Sequence, residues 1–149
     1  RSTQDRTLFP YTTLFRSPEP PVLVAHSLSC LLVPMWAAES DTPVAGAFLV
    51  APVDPSAPAF PDAADEFRDV PRGRLRFPAL VVGSGDDHYA DVEFSRQFAA
   101  DLGADFVMAG ALGHINADSG LGDWPQGRDL LTAFVAGVGG GSPADASDV

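Results

Sequence analysis

Residues 22 to 39 read Val-Leu-Val-Ala-His-Ser-Leu-Ser-Cys-Leu-Leu-Val-Pro-Met-Trp-Ala-Ala-Glu. Val22 to Ala25 form a short apolar run suited to a buried strand, and from about Leu28 to Glu39 the pattern turns helical with no loop between. A strand that feeds straight into a helix belongs to sheets whose strands run parallel and are joined by crossover helices. The chain on either side agrees. Val44 to Ala51 forms a second strand, Leu80 to Val82 after Pro78 a third, and Phe106 to Met108 a fourth. Between the last two, Phe94, Phe98 and Leu102 recur every four residues, with Asp91 placed to cap that helix and Gly103 to stop it. A last helix, ending at Gly139, sets Leu130, Leu131, Phe134, Val135 and Val138 on one face. The expected fold class is α/β, a mostly parallel sheet flanked by helices.

The stretch from Pro20 to Ala38 carries no charge for 19 residues, close to the roughly 20 apolar residues a membrane span needs. His26, Ser27 and Ser29 near its middle and Pro34 further on argue against a span, and a strand entering a buried helix accounts for the same apolarity. Pro34 has no backbone N–H to give and is expected to kink that helix. The 149 residues, 46% hydrophobic, suffice for one domain. Twenty acidic against nine basic residues, a net charge of −11, disfavour nucleic acid and anionic lipid as partners. The single cysteine, Cys30, excludes an internal disulfide and a cysteine metal cluster, and inside the helix it reads as a small core residue.

Chemistry concentrates at three loops. A serine at a sharp strand-to-helix corner can present an exposed hydroxyl beside backbone N–H groups, and it needs small neighbours two residues either way, here Ala25 and Ser29. By itself the motif is more commonly a plain strand end with Ser27 as helix N-cap. After the third strand comes Gly83-Ser84-Gly85-Asp86-Asp87-His88, where Asp87 can orient a histidine. After the fourth comes a glycine-bounded loop carrying His114, which can take a serine's proton. The order Ser, Asp, His, each after a different strand, is that of the α/β-hydrolase arrangement. Other readings of the same residues are blander. His26 reads as corner packing or a local hydrogen-bonding group, His88 as a solvent-facing loop residue, and Trp124 as packing for the final loop. Asp86, Asp87, His88 and Asp91 read as a solvated cluster, so no metal is expected. Gly83-Ser84-Gly85 lacks the third glycine of a dinucleotide loop and is followed by acids, so no nucleotide cofactor is expected either.

Val24-Ala25-His26-Ser27-Leu28, the segment Val81 to Asp87, and above all Gly113-His114-Ile115-Asn116 with Ser119-Gly120, Gly122 and Trp124-Pro125 resemble the small serine hydrolases akin to retinoblastoma-binding protein nine. The likeness runs from about Pro21 to Val138. It implies Ser27 as nucleophile, Asp87 as triad acid, His114 as general base, and the Leu28 N–H as an oxyanion donor. It also implies acyl-enzyme chemistry. A small ester or amide substrate, no cofactor and, by default, a cytoplasmic location are further expectations. Ser29 stands where that family usually has Gly, which leaves open whether it crowds the corner. His88 stands where Pro is usual. The family begins with a strand, a Gly-rich loop giving a second oxyanion donor, and a helix, which have no counterpart here. The expectation is therefore a hydrolase whose partial α/β-hydrolase domain here, over residues 18–138, lacks its first strand and helix and is inactive or poorly folded. A hydrolase-like protein-interaction module is the alternative.

The two ends read differently. Thr7 to Ser17, TLFPYTTLFRS, resembles the conceptual translation of a sequencing-library adapter, so residues 1–17 are expected to be non-native. Residues 139–149, rich in Gly, Ala and Asp, are expected to be a disordered acidic tail. The long connection from Pro52 to Phe77, rich in Pro, Ala and charge, reads as a loop that either borders a crevice or lacks order.

Overall fold

The computed structural model describes residues 19–139. The adapter-like segment and nearly all of the acidic tail lie outside them. Four parallel strands, β1 (Val22–His26), β2 (Gly46–Val50), β3 (Ala79–Gly83) and β4 (Asp105–Met108), pair in chain order. Helices α1 (Ser29–Glu39), α2 (Val92–Leu102) and α3 (Pro125–Gly139) cover the sheet. Alternation along the strands divides the core in two. Ala47 and Leu49 of β2 with Ala79 and Val81 of β3 join Cys30 and Leu31 of α1 and Phe98, Ala99 and Leu102 of α2. Phe48 and Val50 with Leu80 and Val82 face the other way, onto Leu130, Leu131 and Phe134 of α3. Every residue of β2 and β3 is buried, as expected of strands covered on both faces.

Helix α2 follows its sequence signals closely. The Asp91 carboxylate accepts the Phe94 N–H at 2.7 Å, and Gly103 closes the helix at φ +64°. Helix α1 runs through Pro34, which is buried, and there the carbonyl of Cys30 loses its usual helical donor. Among the described residues no helix is long and apolar enough to cross a membrane.

Two expectations need correction, and one open question is answered. The run Val22 to Ala25 is not a fully buried strand. Strand β1 is an edge among the described residues, only Ala25 is buried, and Val24 is 61% exposed. Val135 does not share the packed face of α3 and is 43% exposed. At 100° per residue it sits about 90° round from the centre of the arc formed by Leu130, Leu131 and Phe134. Ser29 does not crowd the corner, because its side chain is exposed along the β1 edge.

The connection from Pro52 to Phe77 is pinned to the domain. Val53, Phe60 and Ala64 enter the core, the last from a short 3-10 turn at Asp62–Phe67. The Leu75 N–H bonds the Leu102 carbonyl at 2.9 Å, and Arg72 reaches Asp101 at 3.2 Å.

Candidate active site

Ser27 follows β1 directly and adopts φ +60°. A serine in the left-handed region carries strain of about 1–3 kcal/mol and persists only where its surroundings dictate it. Here the Ser27 N–H extends the β1–β2 ladder to the Val50 carbonyl at 3.0 Å, while the Ser27 carbonyl accepts the Cys30 N–H at 3.0 Å. The side chain does not cap α1. Leu28 occupies the cap position, and the Ser27 hydroxyl lies 2.7 Å from His114 Nε2.

Asp87 sits in the loop after β3 with its side chain only 3% exposed. One oxygen accepts the Tyr89 N–H at 2.9 Å, and the other lies 2.8 Å from His114 Nδ1. A carboxylate can only accept, so Nδ1 carries the ring proton and Nε2 is left to accept the Ser27 O–H. His114, in the loop after β4, is 6% exposed. The fold therefore brings Ser27, Asp87 and His114 into one hydrogen-bonded chain at the carboxyl ends of three parallel strands, where crevices open in such sheets. This geometry can pass a proton from a hydroxyl to an imidazole and stabilise the resulting charge.

Leu28, Val53, Pro61 and Tyr89 wall a cleft of about 330 Å³ that opens onto Ser27 and His114. A second hollow of about 360 Å³ also touches His114 and Asn116 and is bordered by Asp86, His88 and Asp118. His26 Nε2 lies 2.9 Å from the His114 carbonyl, and since a carbonyl only accepts, Nε2–H is the donor. The His26 ring thus makes a hydrogen bond, but to a partner 88 residues away in the chain rather than a local one. His88 is exposed and packs its ring on Tyr89, whose own ring lies 4.5 Å from that of His114. Trp124 packs over Gly127 at the start of α3 and against the second core cluster.

Sequence reading passed over one part of the site. Buried Ser84 donates its O–H to Asp86 Oδ1 at 3.0 Å and accepts the Leu112 N–H at 2.9 Å, while Asp86 Oδ1 accepts the Gly113 N–H at 2.7 Å. The Gly113 N–H, and after it the Ser84 hydroxyl, hold the Asp86 carboxyl below the usual carboxylate range. A serine two residues before an acid is a local turn signal, but its reach to residues 112 and 113 is not visible in one dimension. Among the described residues no three His, Cys, Asp or Glu side chains converge as for a metal ion.

The serine hydrolase family profile matches residues 11–133. The chain belongs to the serine hydrolase family. No curated protein sequence matches this serine hydrolase chain. Among solved structures it is similar to a YdeN-like hydrolase from Pectobacterium atrosepticum, at 26% identity and a TM-score of 0.72 over 85% of this chain and 65% of that one. It also shares its fold with the esterase domain of a Rhodothermus marinus protein, at 18% identity and a TM-score of 0.63 over 84% and 64% of the two chains. A third likeness of fold is to the ydeN gene product of B. subtilis, at 23% identity and a TM-score of 0.60 over 77% and 65%. This serine hydrolase chain thus spans just under two thirds of the length of each of these three proteins.

Proposed function

We propose that the protein hydrolyses small esters or amides through an acyl-enzyme intermediate. Ser27 acts as nucleophile, His114 as general base and then acid, and Asp87 as the group that orients His114 and stabilises its imidazolium form. The observation that carries this reading is the unbroken chain Ser27 Oγ to His114 Nε2 at 2.7 Å and His114 Nδ1 to Asp87 at 2.8 Å. In the reaction, Ser27 Oγ attacks the substrate carbonyl carbon as its proton moves to His114 Nε2. The same proton then goes to the departing alcohol or amine, and water repeats the sequence to release the acid. The Leu28 N–H, at the start of α1, is the oxyanion donor this reading assigns within the chain.

The apolar wall of Leu28, Val53 and Pro61 suits a short acyl group, and a cleft of about 330 Å³ suits a small one. The chain's net charge of −11, with Asp86 and Asp118 bordering the hollow beside His114, disfavours phosphate-bearing substrates relative to neutral or cationic ones. The likenesses to a YdeN-like hydrolase and to an esterase domain support the same class.

Labelling with a fluorophosphonate probe tests the reading. The parent chain is expected to take one label, lost in Ser27→Ala. A folded parent that takes no label would instead favour the hydrolase-like interaction module.

A further inference from the structure

We propose that Asp86 and His26 are positioning residues that hold the backbone on both sides of His114, so that its ring bridges Ser27 and Asp87. The inference rests on His114 as the general base. His114 lies between two residues in left-handed backbone, Gly113 at φ +58° and Ile115 at φ +48°. For a β-branched residue such as Ile115 that conformation is an outlier, and a segment of this kind keeps its shape only where anchors over-determine it.

The anchors are on both flanks. Upstream, Asp86 Oδ1 takes the Gly113 N–H at 2.7 Å, and the buried Ser84 hydroxyl takes the Leu112 N–H at 2.9 Å while donating to the same Asp86 oxygen. The backbone adds a third tie, from the Gly85 N–H to the Gly110 carbonyl at 2.8 Å. Downstream, His26 Nε2–H donates to the His114 carbonyl at 2.9 Å, and the Ile115 side chain is buried in the core beneath α3. His26 immediately precedes Ser27, so this bond ties the base loop to the serine corner itself.

An exposed acid beside a buried one is ordinarily a solvated neighbour. Asp86 differs because a single oxygen accepts both a hydroxyl and an amide, the second from 27 residues away in sequence. The two adjacent acids thus divide the work. Asp87 holds the His114 ring and Asp86 holds its backbone. The ring must meet partners at 2.7 and 2.8 Å on opposite sides, and misplacing a catalytic group by about 1 Å costs on the order of 10² in rate.

The test uses the 149-residue chain with Asp86→Ala, Asp86→Asn, His26→Phe and His26→Gln. It reads amide exchange at Gly113 by NMR, the rate of fluorophosphonate labelling, and kcat against KM on a small ester. In Asp86→Ala, Gly113 exchange should speed by roughly tenfold or more, and labelling should slow by about tenfold to a hundredfold with kcat falling and KM steady. Asp86→Asn keeps an acceptor oxygen and should restore both readouts to within a fewfold of the parent. His26→Phe should slow labelling similarly, and His26→Gln, which returns an N–H donor, should recover part of it. Unchanged Gly113 exchange in Asp86→Ala would overturn the proposal. So would labelling that is insensitive to both Asp86→Ala and His26→Phe, or an Asp86→Asn variant as impaired as Asp86→Ala. A parent that takes no label while Gly113 exchange responds as stated would sink the hydrolase reading and leave the backbone clamp standing.

Discussion

Replacing Asp87 with asparagine changes no shape, yet the hydrogen bonds around this carboxyl group predict a large loss. One Asp87 oxygen accepts the Tyr89 N–H and the other accepts His114 Nδ1–H, and with the side chain only 3% exposed, water cannot take over either role. An amide has one oxygen and one NH₂. If the oxygen faced His114, the NH₂ would meet the Tyr89 N–H donor to donor, at a cost of about 1–3 kcal/mol for the unsatisfied pair. The favoured orientation gives the oxygen to Tyr89 and points the NH₂ at His114 Nδ1. That nitrogen must then accept, so the ring proton moves to Nε2, the atom 2.7 Å from the Ser27 hydroxyl. An imidazole protonated there cannot take the serine proton. Inverting the tautomer in this way lowers turnover on the order of 10⁴-fold, or about 5 kcal/mol in the barrier. The assay is the fluorophosphonate labelling rate alongside hydrolysis of an activated ester, with a thermal melt to show that the variant stays folded. A folded Asp87→Asn chain that labels within tenfold of the parent would refute the reasoning, because the proton would then reach His114 without the orientation the carboxylate imposes.

Other consequences can be checked separately. Ser27→Gly should abolish labelling as Ser27→Ala does, but it also relieves the left-handed strain at φ +60° and should raise the denaturant midpoint relative to Ser27→Ala by an amount worth about 1 kcal/mol. Cys30 is fully buried and donates to the Val50 carbonyl, and burial pushes its thiol far above the usual range, so iodoacetamide should alkylate it only in denaturant, as read by intact mass. Gly127→Ala would set a Cβ 2.0 Å from the Trp124 ring, and should destabilise the chain by about 1–3 kcal/mol and shift its tryptophan fluorescence. The Asp86 carboxyl titrates below its usual range in the folded chain, so its contribution to stability is present above the ordinary carboxylate pKa and is lost as pH falls through the lowered one. The melting-temperature difference between the parent and Asp86→Asn should therefore shrink on acidification below about pH 4, measured by thermal melts across that range.

Much of the architecture is legible because its signals are local. Helix α2 announces itself through Asp91, the four-residue recurrence of Phe94, Phe98 and Leu102, and Gly103, all within 13 residues of one another. The strands read as apolar runs, and the order Ser27, Asp87, His114 after three of them picks out the residues that the fold brings within hydrogen-bonding distance. The connection from Pro52 to Phe77 is harder to read. Its Pro and charge content conceals Phe60 and Ala64, which are buried because α1, α2 and β2 together make a surface for them.

By itself, then, the amino-acid sequence determined the parallel α/β class, the capped helix α2 and the three turns that carry the chemistry, since periods, caps and turns act over a few residues. Only the tertiary structure decided that Asp86, the acid beside Asp87, holds the backbone of the His114 loop at Gly113. It alone also showed that Ser27 turns from capping α1 toward His114, and that His26 reaches across 88 residues to the His114 carbonyl. Those choices depend on the register of β1, β3 and β4, which sets loops far apart in the chain within 3 Å of one another, and no spacing along the chain encodes that distance.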